Sequence, residues 1–345
     1  MMYLVDVKRN NKPVYDARVN QAIENYLVSD LKLPGNGLMM YINQPAVVIG
    51  RNQNVWETVN ISYLHEHGFQ LAWRTTDSGV VLHDFGTLIF EAIITEGEKH
   101  FGDYAYYAQP ILTALKDLGI DAKLEVKSGR LLFHDKAFAK LNMAQFDNTV
   151  KVSGTILYDM DFNDAKNVLN DAETHLNENT TDDPKVAEMI NLGDYLPTGM
   201  TMAELRDILL KAIFDVKQLD DIEDYAINSD DWDIIDKRLA DTYGTDEWNF
   251  GRNPGYDRYF TRDLVAGKME INFSIMDDHF LRFKFNPFFP VEGDLDLVAK
   301  QLIGQTADAK GIRTAIYPGK LRNISEKELT DFILSSLQNN QGLIS

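Results

Sequence analysis

Pro45–Asn54 reads PAVVIGRNQN, and its core is a short run of small and β-branched apolar residues, Ala46–Gly50. A run this short, unbroken by polar residues, suits a strand covered on both faces. Arg51 to Asn54 is polar and carries neither the strand nor the helix period, so the chain leaves the sheet there. Upstream, Leu38–Ile42 predicts a second strand, joined to the first through Asn43-Gln44-Pro45. Downstream, Leu71–Arg74 predicts a third. Thr75–Gly86 is polar, glycine-bearing and irregular. It ends in His83–Phe90, HDFGTLIF, which opens the strand Leu88–Ile94.

Helical signals flank these strands. Asp16 can cap a helix carrying Ala22, Ile23, Tyr26 and Leu27 on one face. Ile61–Gly68 is short and stops at a glycine, and Tyr104–Leu118 closes at Gly119 with Pro110 inside it. Leu131–Phe133, Ala137–Leu141 and Val150–Tyr158 predict further strands. Asn163 is a suitable cap for a helix to Leu169. Thr201 and Glu204 form a capping box before a helix to Phe214. Asn170–Asp183 is acidic and reads as a mobile loop. Asp230, Asp231 and Asp233 read as a helix cap and a solvated face, since the glycine and glutamate spacing of a calcium loop is missing. Trp248–Pro254, WNFGRNP, marks a boundary. Beyond it Met269–Ile275 and Phe280–Phe285 alternate as a hairpin, followed by helices Leu295–Ile303 and Glu326–Leu337. The expected class is α+β, with a large domain over 1–245 and a small one over 246–345.

The 345 residues are 44% hydrophobic and 25% charged, with a net charge of −19. An acidic surface without a basic patch excludes nucleic acid as a partner. The absence of cysteine excludes disulfides, zinc–thiolate sites and a thiol nucleophile. No stretch has the roughly 18–20 apolar residues of a membrane span. With no leader pattern at Met1–Asn11, a cytoplasmic protein is expected. No histidine or acidic cluster has the spacing of a metal site.

Taken together, PAVVIGRNQN, HDFGTLIF, Gly129-Arg130, SGTILYDMD at Ser153–Asp161 and WNFGRNP resemble the lipoate–protein ligase family in order and spacing. The resemblance implies a lipoate/biotin-ligase-like catalytic domain of mixed sheets with flanking helices, and a small C-terminal α+β accessory domain. It implies that lipoate is activated by ATP with Mg²⁺ and passed to a lysine of a lipoyl domain, in a 2-oxoacid dehydrogenase or the glycine-cleavage H protein. It places the lipoate and adenylate pocket at Asn52, Arg74, Asp77, Ser78, Gly79, His83 and Asp84.

The chain departs from the family pattern at three places that handle phosphate. In Trp73–Asp84 the first of two family arginines is Trp73, and two loop glycines are Asp77 and Ser78. A carboxylate near a phosphate costs about 1 kcal/mol in water and more when desolvated. Gly129-Arg130 is followed by Leu131-Leu132 instead of Asn-Asp. The central family lysine aligns with Ala137 on the apolar strand, or with Ala139 without a gap; Lys136 and Lys140 are near, but neither is aligned. Strand alternation puts Lys136 on the other face from Ala137. The loop that covers the adenylate, Asn177–Asn191, holds four acids against Lys185.

Two functions follow: a lipoate–protein ligase with weak or lost activation, or a non-catalytic protein that binds lipoate or a lipoyl domain. An apolar slot for the acyl tail is expected between Ala46–Gly50, Leu71–Arg74 and Leu88–Ile94, with Trp73 able to fill its mouth. Acyl transfer through a cysteine is excluded.

Overall fold

The computed structural model describes all residues except 32, 34, 52, 77–78, 96, 170–188, 252–255, 257, 277 and 339–345. The chain forms two compact units. One comprises Met1–Arg51 and His67–Asn249; the other comprises Asn52–Glu66 and Phe250–Ser345.

The first unit has thirteen described strands: β1 Met2–Asp6, β2 Lys8–Arg9, β3 Lys12–Pro13, β4 Asn36–Tyr41, β5 Ala46–Ile49, β6 Gln70–Trp73, β7 Val80–His83, β8 Thr87–Thr95, β9 Lys123–Glu125, β10 Arg130–Phe133, β11 Lys136–Phe146, β12 Thr149–Leu157 and β13 Asp224–Ala226. Eight of them make one mixed sheet in the order β13-β1-β4-β8-β12-β11-β10-β9. β1 runs parallel to both β13 and β4, and every pairing from β4 to β9 is antiparallel. A separate sheet has the order β6-β5-β7.

Period-two alternation gives the large sheet two different faces. Leu38, Met40, Leu88, Phe90, Val150, Val152, Leu141 and Leu131 look one way and pack with helices Tyr104–Asp117 and Met202–Phe214. Met39, Tyr41, Ile89 and Ile93 look the other way, onto Ala22, Ile23, Tyr26 and Leu27 of helix Ala17–Ser29. That helix starts where Asp16 accepts from the backbone N–H groups of Arg18 and Val19.

Several local expectations hold: the Asp16 cap, the Thr201–Glu204 capping box, and Pro110 inside an otherwise continuous helix. Others need correction. The helix Phe162–Val168 is capped by Asp161, not Asn163, because Asp161 accepts from Asn163 N and Asp164 N. Val80–His83 is a strand, where an irregular stretch was expected; it gains its ladder only from β5. Asp231 is not on a solvated face. It is buried and accepts from Tyr26 Oη at 2.6 Å, Tyr225 Oη at 2.7 Å and Asn228 N at 2.9 Å. The loop Asn170–Asp183 lies outside the described residues.

The second unit has its own core. A three-stranded antiparallel sheet, β14 Arg258–Leu264, β15 Gly267–Met276 and β16 His279–Pro287, packs Phe273, Phe280, Phe283 and Phe285 against helices Leu295–Leu302, Ala309–Ile316 and Glu326–Gln338. The hairpin was legible in the sequence; β14 and the middle helix were not.

Asp231 holds three hydrogen bonds that join helix Ser229–Arg238 to helix Ala17–Ser29 and to β13. Asp231→Ala should lower unfolding free energy by about 2–4 kcal/mol, since buried Tyr26 loses its acceptor. Urea titration checks this, and an unchanged midpoint would contradict it.

Candidate functional site

The three-stranded sheet presents a face of small residues. Ala46, Val48 and Ala72 are buried there with Ala17 of the first helix, and Val81 packs beside them. Pairing of Ala46 with His83 and of Val48 with Ala72 carries His83 onto the same face. Alternation does the same for Arg74, one step past β6. Trp73 therefore points to the opposite face. It is buried there, with its backbone held by Asn249 and Trp248. The expectation that Trp73 could block the mouth of a slot beside Arg74 is corrected by this register.

The loop after Arg74 is tied back to the sheet. Arg74 Nη2 donates to Gly79 O at 2.8 Å, and Gly50 N donates to the same oxygen at 2.9 Å. Gly79 has φ +72°, a region that favours glycine. Asp77, Ser78 and Asn52 lie outside the described residues. Asp84 builds a turn: Oδ1 accepts from Gly86 N and Thr87 Oγ1, and Oδ2 accepts from the N–H of Asp161, the cap of helix Phe162–Val168.

His83 is held by a relay that fixes its tautomer. Asn20 Nδ2 donates to Val14 O and to Asn43 Oδ1, so Asn43 must turn its amide nitrogen toward His83 Nδ1, at 3.0 Å. Nδ1 is then the acceptor and Nε2 carries the proton. That N–H is buried and has no hydrogen-bond partner among the described residues. Burial, aided by Arg74, lowers the imidazole to about 3, so it is neutral at physiological pH.

Facing this sheet and helix, the large sheet carries charge in its interior. Lys151, 2% exposed, donates to Glu24 of the first helix and lies 3.5 Å from Glu91 Oε2. Gln21 Nε2 steadies the other Glu24 oxygen at 3.0 Å. Register explains the meeting. Lys151 pairs with Ile93 and Glu91 with Met39, so Lys151, Glu91 and Tyr41 are diagonal neighbours on one face. Burial and the nearby Glu24 push Glu91 up to about 8, against the pull of Lys151 and Arg74. Burial alone would lower Lys151, but Glu24 and Glu91 outweigh it and the net direction is upward. Burial, then Glu91 and Glu24, raise Tyr41 well above its ordinary value. Sequence reasoning missed Glu24, Tyr41, Glu91 and Lys151. Glu91 and Tyr41 interrupt apolar runs, which was a usable signal, whereas Glu24 and Lys151 have polar residues close by and gave none. The strand expected to wall an apolar slot, Leu88–Ile94, instead places a carboxyl group on the inside.

The same face continues across β12 and β11 as a half-buried polar strip. Ser153 pairs with Asn142 and Thr155 with Lys140, and Lys140 pairs with Arg130 of β10. Strict alternation would put Ala137 and Lys140 on opposite faces. A bulge changes this: Leu131 pairs with Ala139 and Leu132 with Ala137, leaving Phe138 as the extra residue. Phe138 and Ala139 both enter the apolar core on the far side. Ala137 is therefore on the same face as Lys140, and Ala139 is not. Lys136 is exposed at the strand end opposite Phe133. Gly129, φ +72°, admits no side chain, since a Cβ would lie 2.4 Å from Leu141 O. Arg130 is held by Glu125, with Nε at 2.7 Å and Nη2 at 2.6 Å. Of the stretch 177–191, only Met189 to Asn191 are described. Ile190 N donates to Ala137 O there.

Comparison with known proteins gives one consistent answer. Residues 16–214 match a family model described as the lipoyl protein ligase A/B catalytic domain. Lipoate–protein ligase 1 of Staphylococcus aureus is 29% identical over 314 residues, covering 89% of this chain and 92% of the relative. Among solved structures, a bi-partite lipoate protein ligase from Thermoplasma acidophilum, described with its E2 lipoyl domain, superposes with a TM-score of 0.61 at 18% identity, over 72% of this chain and 96% of that one. A lipoate-protein ligase A bound with ATP gives 0.59 at 19%, over 69% and 95%. At those identities the structural likeness shows the fold.

The pKa shifts set a pH dependence. Glu91 is raised when folded, so its contribution is complete below about 4.5 and is lost as pH rises towards 8. His83 is lowered, so its contribution is complete above about 6.5 and is lost as pH falls towards 3. The two slopes oppose each other between about 4.5 and 6.5, leaving Glu91 alone above that window. Melting temperature should therefore fall between pH 6.5 and 8, and Glu91→Gln should flatten that fall. An equal fall in the variant would exclude Glu91 as its origin.

Proposed function

The chain belongs to the lipoate–protein ligase family, and on that premise we propose that it activates a lipoate-type carboxylic acid with ATP and passes the acyl group to a lysine of a carrier domain, slowly. In the first step the carboxylate oxygen attacks the α-phosphorus of ATP and pyrophosphate leaves. In the second the lysine amine attacks the acyl carbon, AMP leaves and the amine loses a proton. The carrier is a lipoyl domain of a 2-oxoacid dehydrogenase or the glycine-cleavage H protein, and the reaction is cytoplasmic.

The observation that carries this reading is the bulge at Phe138. It sets Lys140 on the face that holds Ala137, so a cation remains on the floor where charge develops. Lys140 stands three residues along, roughly 10 Å at strand rise. A displaced donor stabilises the transition state less well, which accounts for a low rate. Arg74, Gly79 and His83 line the other side, and Asp84 positions the turn below them. Among the described residues no group of three His, Asp or Glu side chains could hold a metal ion, so no step is assigned to magnesium.

A second reading, acid or carrier binding without activation, is favoured by one observation: Arg130 is engaged by Glu125 and Ser128. One assay separates the two readings. With ATP, lipoate and a lipoyl domain, acyl-AMP and modified domain should accumulate slowly. Lys140→Ala should reduce the rate on the order of 10²-fold, and Ala137→Lys should raise it. Acid binding without any acyl-AMP would favour the second reading. Undiminished turnover in Lys140→Ala would remove Lys140 from the chemistry.

The acidic composition of Asn177–Asn191 generates a further expectation. Calorimetry should detect no ATP binding at micromolar nucleotide, and a micromolar dissociation constant would contradict it.

A further inference from the structure

Charge is unevenly divided along this chain. Residues 250–345 hold twelve basic and twelve acidic side chains, so the whole net charge of −19 falls on residues 1–249. Within the C-terminal stretch the cations are also gathered. From Ala309 to Ser325 there are four, Lys310, Arg313, Lys320 and Arg322, and no aspartate or glutamate.

The fold turns this run into one surface of the second unit. Helix Ala309–Ile316 buries Gly311, Ile312, Ala315 and Ile316. Lys310 and Arg313, one turn apart, are left facing outward. Tyr317 N donates to Arg313 O, so the helical path carries Tyr317 onto the same side, where its ring is 82% exposed. Pro318 and Gly319 then turn the chain, and Lys320 and Arg322 line a cleft of about 650 Å³ opposite Glu292 and Asp294. All four cations are exposed, and among the described residues none forms an ion pair. Sequence reading found no basic patch because composition averages this strip with the acidic residues elsewhere.

Exposed tyrosine flanked by arginine is the chemistry of a protein-binding surface, since both residues are enriched where partners bind. Charge selects the partner. A basic protein would be drawn to the acidic first unit; an acidic one is repelled there and attracted here. A phosphate backbone fits less well. Asp308 caps the same helix, and Glu292 and Asp294 line the same cleft, so the strip alternates in sign where a nucleic acid does not.

We propose that this strip docks the acyl acceptor, a carrier domain that binds it through a carboxylate-rich face. Arg313 and Lys320 pair with carboxylates of the carrier, and Tyr317 packs at the centre of the contact. This inference rests on the reading that the acyl group passes to a carrier domain, which requires one protein partner.

The test measures binding of a dye-labelled lipoyl domain of net negative charge to the full-length protein by fluorescence anisotropy, with neither ATP nor lipoate present. Arg313→Glu combined with Lys320→Glu should weaken binding at least about tenfold, and should remove most of the loss that added sodium chloride causes in the wild type. Tyr317→Ala should cost about tenfold and keep the salt dependence. Both variants should retain the circular dichroism spectrum and melting temperature, because the replaced side chains are exposed. Formation of acyl-AMP from lipoate and ATP, assayed in parallel, should be unchanged in both. Undiminished binding by the paired variant, no binding by the wild type, or duplex DNA held more tightly than the carrier by the same residues would overturn the inference. Carrier binding that the paired substitution abolishes, without acyl-AMP in any sample, would support the docking surface and overturn the activation reading alone.

Discussion

Lys151 brings an ammonium group into the interior of an eight-stranded sheet, and much of the first unit is arranged around it. An ion there loses several kcal/mol of hydration, and only close opposite charge offsets that loss. Glu24 supplies that charge as a carboxylate from the helix, and the carboxyl of Glu91 on the neighbouring strand lies 3.5 Å away. The helix is thereby fixed on the sheet by an ion pair as well as by Ala22, Ile23, Tyr26 and Leu27. Removing one partner of such a cluster typically costs about 3–5 kcal/mol, because the remaining charge stays buried. A buried ion cluster is a weak source of net stability. Its effect here is to fix the position of helix Ala17–Ser29 on the face of the large sheet.

The consequence for chemistry is a site with two kinds of wall. Towards β5 and β6 the wall is alanine and valine, packed and apolar. Towards β4, β8 and β12 it is a tyrosine, a carboxyl held largely protonated near neutral pH, and a lysine. The resemblance implies an apolar slot, whereas Tyr41, Glu91 and Lys151 put polar groups on this face of the large sheet.

A second displacement lies further along the same face. The resemblance aligns the family lysine with Ala137 or Ala139, and one extra residue in β11 turns Lys140 onto the side of Ala137. A bulge re-aims everything beyond it by half a period. The position of a charge on a strand therefore depends on the ladder as much as on the count of residues.

The sequence alone determined the class of fold and the family. Local signals sufficed: β-branched runs for β5 and β8, the Asp16 cap, the Thr201–Glu204 box and the alternating hairpin after Met269. Each depends on neighbours within a few residues. Arg74, Gly79, His83 and Asp84 were also legible as a group, because they share one short motif. The tertiary structure alone decided which of them does what. Asp84 spends its oxygens on a turn and on Asp161, 77 residues away. His83 becomes an N–H donor through Asn20, from another element. Trp73 is turned away by strand parity. Glu24, Glu91 and Lys151 are far apart in the chain. Only pairing of β4, β8 and β12 beneath one helix brings them together, since the electrostatic interaction that defines the site acts through space and leaves no periodic trace along the sequence.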